Sequence, residues 1–498
     1  MKRILSITLI FALLCVFPFA LAAPQESGTE TYPTVIITGG WHKLVYDDEP
    51  GLEGQTAFDT EEMDLSTFSP LLDEILAALK TLDTNGIVDC VRDFLWELLG
   101  PVRMDENGES VAKVSDGKLY YAADNISQDT ISCDLDWRLD PIENAGKLHK
   151  FLLYIVEERG TEQFHLKFSS ASGAVLLAYL KNYGYDLLAS VVFDISTHKG
   201  TSLFAGFAKR DITFDMEALG KLSLPSLSSI DLPALQPTLR ILYESGLLDV
   251  FVKLLSFSSG PIKDRLYDEI IIPLIFTMPV FWSYIPAQDY EAAKEALLQG
   301  DPKYDNLVKK LDRYQEIRMQ ADEIVREAAK HVKVGVRASY GLPLVPLVWG
   351  AAVQADLLVD TAYASMGATC APLDRPFGPL YRQKVCDGHN HISPDRLIDA
   401  STCLLPEQTW FSYKRPHMTD NDYSGWYDWF KKTDNPTVFD NALYPQYVEE
   451  TEPYVFVPMV RESASALLES LLKAVGLYLL KIWRWLLLLP LDLAGKML

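Results

Sequence analysis

Residues 164–180 read FHLKFSSASGAVLLAYL, and this stretch restricts the fold more than any other part of the chain. Phe164, Leu166 and Phe168 alternate with His165 and Lys167, as in a strand. A serine-rich turn with Gly173 follows, and then Ala174, Leu177 and Ala178 begin a helical pattern. Such a strand–turn–helix exposes one side chain at a helix N-terminus, where unpaired N–H groups and the helix dipole favour negative charge. Ahead of it, 140–158 has helical periodicity (Ile142, Ala145, Leu148, Leu152, Ile155), and behind it 189–195 is a continuous apolar run of buried-strand type. Strand and helix in alternation predict an α/β fold: a mostly parallel central sheet with flanking helices.

The rest of the chain divides around that pattern. Residues 34–38 read as a short buried strand stopped by Gly39-Gly40, a pair that lets backbone turn sharply. Residues 69–80 and 86–99 have amphipathic helical spacing. From 205 to 331 the alternation fails. A Ser/Pro/Leu-rich stretch at 222–236, a helix at 237–258, an aromatic cluster between Pro279 and Pro286, and a long charged helical stretch at 287–331 predict an inserted helical cap. Strands resume at 332–338, with 353–360 a further strand candidate. The expected segments are a leader at 1–23, sheet-domain halves at 24–204 and 332–455, the cap at 205–331 between them, and a C-terminal amphipathic helix at 456–498.

Both ends bear on location. Lys2 and Arg3, an apolar run from 4 to 21 and the small residues Ala20 and Ala22 have the form of a secretory leader. The expected location is therefore secreted or cell-surface. In the C-terminal segment the charges Glu469, Lys473, Lys481 and Arg484 fall at about 0°, 40°, 120° and 60° around a helix turning ~100° per residue. Charges on one arc, with Trp483 and Trp485 among leucines, fit a helix lying in a membrane surface. The net charge of the whole chain is −23, which repels phosphate backbones and excludes general nucleic-acid binding. Beyond the leader, Cys90, Cys133, Cys370, Cys386 and Cys403 are an odd set; one bridge among the last three and one between the first two are open possibilities. There is no CxxC pair to suggest a zinc ribbon.

The 164–180 stretch resembles the nucleophile elbow of the α/β hydrolases, in particular the lecithin:cholesterol acyltransferase-like lipases. Asp136-Trp137-Arg138 and the helix after it resemble the segment that precedes the elbow in that family. The resemblance implies an α/β-hydrolase fold and places the nucleophile at Ser170. It puts Asp356, in the segment Ala355-Asp356-Leu357-Leu358-Val359-Asp360, as the acid, with Asp360 as the alternative acid. It puts His417 after the 410–413 strand as the base. Oxyanion donors would be the backbone N–H groups of Ala171 and of Trp41, just beyond Gly39-Gly40. No cofactor or metal is implied.

Two departures keep other readings open. A Gly-x-Ser-x-Gly elbow centred on Ser170 needs glycine at 168 and 172, where this chain has Phe168 and Ser172. Phe168 is expected to crowd the turn, and a shifted register would put Ala171 at the nucleophile position. The expected function is thus an exported serine esterase, lipase or O-acyltransferase acting on lipid-like acyl esters, the alternative being a catalytically impaired protein of the same fold that binds lipid or a partner. Phe281, Trp282 and Tyr284 could line an acyl site or form cap core. His389 and His391, spaced i, i+2 between aspartates, suit a metal site or a hydrogen-bonded loop.

Overall fold

The computed structural model describes residues 32–47, 51–59, 71, 74, 83–116, 126–213, 215–222, 260–386, 388–417, 425–452 and 455–460. The leader, the 237–258 helix, nearly all of the 69–80 helix and the C-terminal helix from 461 onward lie outside them. Eight strands form the central sheet: β1 (Thr34–Ile37), β2 (Thr130–Ser132), β3 (Phe164–Ser169), β4 (Leu188–Asp194), β5 (Lys333–Tyr340), β6 (Thr409–Tyr413), β7 (Tyr447–Glu452) and β8 (Val455–Pro458). Their order is β8-β7-β6-β5-β4-β3-β1-β2, and only the β7–β8 pair is antiparallel. The fold is α/β with a mostly parallel sheet. The sheet runs to Pro458, inside the segment assigned from sequence to the C-terminal helix.

Helices cover both faces. On one, α1 (Pro141–Arg159) and α2 (Gly173–Tyr183) pack with the end of α3 (Asp305–Arg318) and with α4 (Ala321–Ala328). On the other lies α5 (Trp426–Lys432). The central strands show the two-residue period directly: Val191 and Phe193 join the α1/α2 core, while Val192 between them joins Trp426 and Phe430. The ends of α1 follow from local chemistry. The Asp140 carboxylate accepts from the Ile142 N–H at 2.6 Å, Pro141 occupies the first turn, and Gly160 closes the helix at φ 68°.

The segment between β4 and β5 is helical where described, but its core is not its own. Phe276, Met278, Phe281 and Trp282 share one apolar cluster with Trp41, Phe58, Trp137 and the Val88, Val91 and Leu95 face of the helix Thr84–Leu99. Arg265 and Arg92 link the two parts through Asp89 and Glu269. The charged stretch expected as one helix is broken. Gln299 and Gly300 are left-handed at φ 51° and 66°, and Asp301-Pro302 then starts a new N-terminus. Tyr267–Phe276 is a π-helix containing Pro273, whose missing N–H interrupts the ordinary ladder. Among the described residues, the five cysteines beyond the leader form no disulfide: Cys90 and Cys133 belong to different apolar clusters, and burial pushes the Cys370 thiol up to about 12.

Beneath α5 the sheet carries buried charge. Asp194 lies 3.5 Å from Lys167 on β3 and 3.3 Å from Arg337 on β5. Arg337 stacks over Trp426 and Lys167 over Tyr427, so the ions tie three central strands to the helix. Removing the anion would take from two buried cations the carboxylate that lies between them. Asp194→Ala is expected to cost about 3–5 kcal/mol in urea unfolding. A loss under 1 kcal/mol would mean that Asp194 does not balance the two cations.

Candidate active site

β3 ends on Ser169 in extended conformation and the chain turns at Ser170 with φ 55°. A non-glycine residue here costs ~1–2 kcal/mol and persists only when its neighbours over-determine it. Five contacts do so. The Ser172 hydroxyl meets the carbonyls of Ile37 at 2.7 Å and Ser169 at 2.8 Å. The Thr197 N–H donates to the Ser170 carbonyl at 3.0 Å. A Cβ on Gly39 would lie 2.3 Å from the Ala171 nitrogen, and one on Gly173 would lie 1.7 Å from Ser196 Oγ. The left-handed position is Ser170, not Ala171. Phe168 does not crowd the turn: it is fully buried in the α1/α2 core.

The hydroxyl presented by this turn is engaged. His417 Nε2 lies 2.7 Å from Ser170 Oγ, and His417 Nδ1 lies 2.8 Å from Asp356 Oδ2. A carboxylate only accepts, so Nδ1 carries the proton and Nε2 accepts from the serine hydroxyl. Asp356 is anchored in turn. Its Oδ1 accepts from the N–H groups of Leu358 at 3.0 Å and Val359 at 2.7 Å, and its carbonyl accepts from the His417 N–H at 2.8 Å. This self-bonded turn, with Leu357 at φ 85°, replaces the strand expected at 353–360. The imidazole and the carboxylate are both nearly fully buried.

The other candidates lie elsewhere. Asp360 accepts from the Ser202 N–H at 2.8 Å and the Ser202 hydroxyl at 2.7 Å, so it caps the helix Ser202–Ala208 and is not the acid on His417; burial raises its pKa. His391 Nδ1 meets Gln446 Oε1 at 3.0 Å, and His389 Nδ1 meets Glu407 Oε1 at 3.2 Å. Among the described residues, no group of three His, Cys, Asp or Glu could hold a metal. Phe281, Trp282 and Tyr284 are buried in the cluster against which Ala171 packs, as core and not as an open lining.

Sequence reasoning passed over the parts that hold the Gly39-Gly40 turn. The Trp41 indole stacks on Trp137, centroids 4.5 Å apart and nearly parallel, and Trp137 Nε1 donates to the His42 carbonyl at 3.0 Å. His42 closes the turn by meeting Thr38 Oγ1 at 2.6 Å, with Asp134 3.3 Å from its other ring nitrogen. Arg138, fully buried, is bidentate to Asp136 and also donates to the carbonyls of Val102 and Val114. Trp41 therefore anchors the turn by its ring, while Gly39 is the residue whose side chain, if it had one, would collide with the Ala171 nitrogen. The i, i+4 spacing of Thr38 and His42 was the available signal. Ser196 and Thr197, at the end of β4, had none.

No protein-family model matches the chain, and no curated protein matches it. One solved structure, described as the crystal structure of the Tle4–Tli4 complex, overlaps 62% of this chain and 75% of its own at 11% identity. Its TM-score is 0.24, and it carries no argument about this chain.

Gly39→Ala is expected to displace the Ala171 N–H and to lower reactivity at Ser170 at least 100-fold, because a lost oxyanion donor costs ~3 kcal/mol of barrier. Circular dichroism with a fluorophosphonate labelling rate checks that the fold persists while the rate falls. Acid should also loosen the turn from behind. Burial holds the His198 imidazole, which contacts Ser196 Oγ at 3.0 Å, down at about 3, and burial with nearby Lys431 and Lys333 does the same to His165. In the unfolded chain a histidine titrates near ~6.5. Between those values only the unfolded state binds the protons, so stability is full above pH ~6.5 and falls as pH drops toward 3. His198→Asn should flatten that fall in melting temperature; an unchanged slope would remove His198 from the account.

Proposed function

We propose that this chain is an α/β-hydrolase-type serine enzyme that cleaves or transfers acyl esters. The observation that carries this reading is the hydrogen-bonded series Ser170–His417–Asp356 at a left-handed turn opening a helix. In this reading Nε2 of His417 takes the Ser170 proton as Oγ attacks the ester carbonyl. Asp356 keeps the tautomer fixed and stabilises the imidazolium. The imidazolium then protonates the leaving alkoxide, and water or an alcohol resolves the acyl-enzyme by the same steps in reverse. The oxyanion would be met by the Ala171 N–H and by a donor from the turn ending at Trp41, at the N-terminal end of α2.

The aromatic cluster of Trp41, Phe204, Phe281 and Tyr284, against which Ala171 packs, is closed core, so the apolar acyl group enters the proposal through the lipase resemblance alone. The impaired alternative rested on Phe168 and Ser172. Phe168 lies in the core, and Ser172 bonds the turn to β1, so neither obstructs the series. Export and attachment to a lipid surface remain part of the proposal through the leader and the C-terminal segment. No helix among the described residues is long and apolar enough to cross a membrane.

A fluorophosphonate probe should label the protein once, at Ser170, and Ser170→Ala should abolish both labelling and p-nitrophenyl ester turnover with an unchanged melting temperature. His417→Ala and Asp356→Asn should each lower turnover by roughly 10⁴-fold. Asp360→Asn should keep labelling within about threefold, since its carboxylate serves a helix cap. Mass spectrometry that finds no adduct, or one on another serine, would defeat the proposal.

A further inference from the structure

Against an overall charge of −23, residues 374–387 hold three basic side chains, Arg375, Arg382 and Lys384, with Asp374 and Asp387 at the two ends, a local excess of one positive charge. Within this segment Leu380 is 91% exposed at the apex of a turn closed by the Tyr381 N–H on the Gly378 carbonyl at 2.9 Å. The turn is braced and not slack. Arg396 donates to the carbonyls of Phe377 at 2.8 Å and Gly378 at 2.6 Å, Phe377 stacks on Tyr381, and the Tyr381 hydroxyl donates to Asp399 at 2.7 Å. A fold that builds such bracing behind a fully presented leucine leaves an apolar tip in water at a standing cost.

A second apolar tip stands nearby. Trp349 is 78% exposed on the loop that leads from β5 to Asp356. The helix Met216–Lys221 connects the two. At its N-terminal end Asp215 accepts from the N–H groups of Gly350 and Ala351 at 3.0 Å each, fixing the tip of the Trp349 loop. At its other end Lys221 pairs with Asp374, where the basic segment begins. A helix this short spans ~9 Å.

We propose that this face docks on an anionic phospholipid surface, Leu380 and Trp349 entering the acyl boundary while Arg375, Arg382 and Lys384 meet the headgroups. Two separate apolar tips with cations around one of them fit a fluid, planar, negatively charged partner. A protein partner calls for a contiguous complementary patch, and tryptophan with basic residues is the composition of a membrane interface. The surface is distinct from the C-terminal segment and does not depend on the chemistry at Ser170. Because the Trp349 loop carries Asp356, docking would bring the site against the lipid. Each cation near such a surface contributes about fivefold to binding.

The test uses the full chain and vesicles of phosphatidylcholine with or without phosphatidylglycerol, the acyl chains brominated in a parallel set. The emission of Trp349 is taken as the difference between the wild type and Trp349→Phe. With phosphatidylglycerol present it should shift to the blue and be quenched by the brominated lipid. Leu380→Asp should remove that quenching, and Arg382→Glu/Lys384→Glu should weaken it at least tenfold, with melting temperatures unchanged because these side chains are exposed. Trp349 emission that ignores the vesicles overturns the proposal whether or not the chain floats with them, since flotation alone would place the contact elsewhere. Equal quenching in pure phosphatidylcholine, or quenching that survives Leu380→Asp, overturns it as well.

Discussion

The architecture of the site turns on a lack of space at two backbone positions. Gly39 and Gly173 are the points where the end of β1 and the loop after β4 press against the turn at Ser170 from either side, and neither has room for a Cβ. Parallel pairing of β1, β3 and β4 brings their carboxyl ends to one edge of the sheet. Ile37, Ser169 and Thr197 then meet the turn through main-chain atoms, and a left-handed serine is held by groups that cannot rotate away. Strain of ~1–2 kcal/mol is offset by several such contacts, and the hydroxyl is held in place by the turn.

The other half of the site comes from far along the chain, and sheet order is what brings it near. Asp356 follows β5 and His417 follows β6, successive neighbours of β4, so residues separated by 247 positions lie within hydrogen-bond reach. The connection after β4 joins these parts. Thr201 donates through its hydroxyl to the Leu358 carbonyl and through its N–H to the Tyr284 carbonyl, while Ser202 holds Asp360. A Cβ on Gly200 would fall within 2.5 Å of the Pro286 nitrogen, so the inserted segment also sits directly on this connection. The Asp356 loop, the Ser170 turn and the insertion are thus fastened to one stretch of chain, and a shift in any of them is felt by the others.

Local periodicity made the elements around the turn legible. The alternation in 164–168, the apolar run at 189–195 and the spacing in 140–158 each correspond to an observed strand or helix, because each signal arises from burying one face against the sheet. Ser170, Asp356 and His417 are singled out through the lipase resemblance, and the structure brings those three within hydrogen-bond reach. What could not be read were choices made by tertiary contact. Asp356 and Asp360 are equivalent as sequence; one reaches His417 and the other a helix N-terminus because Leu357 adopts a left-handed backbone. The apolar 353–360 segment looked like a strand, yet the carboxylate of Asp356 competes for its own backbone N–H groups. The cap's aromatic residues share their cluster with Trp41 and Trp137, a contact that no local spacing in 205–331 announces.

The missing glycine at 168 shows the difference between a motif and the constraint behind it. An elbow requires that a strand, a turn and a neighbouring backbone approach more closely than side chains allow. It does not require that the glycine sit two residues before the nucleophile. Here Phe168 points to the α1/α2 core in register with Ile37 and Phe193, where a large apolar side chain adds burial. The close approach is made one strand over, by Gly39, and one residue later than the usual following position, by Gly173. Ser172 takes the remaining position and converts it from a point of clearance into a hydrogen-bonded tie to β1. The spacing is unusual, but steric demand at the turn is met by the same means, which is why a sequence reading based on letters expected crowding where the structure has none.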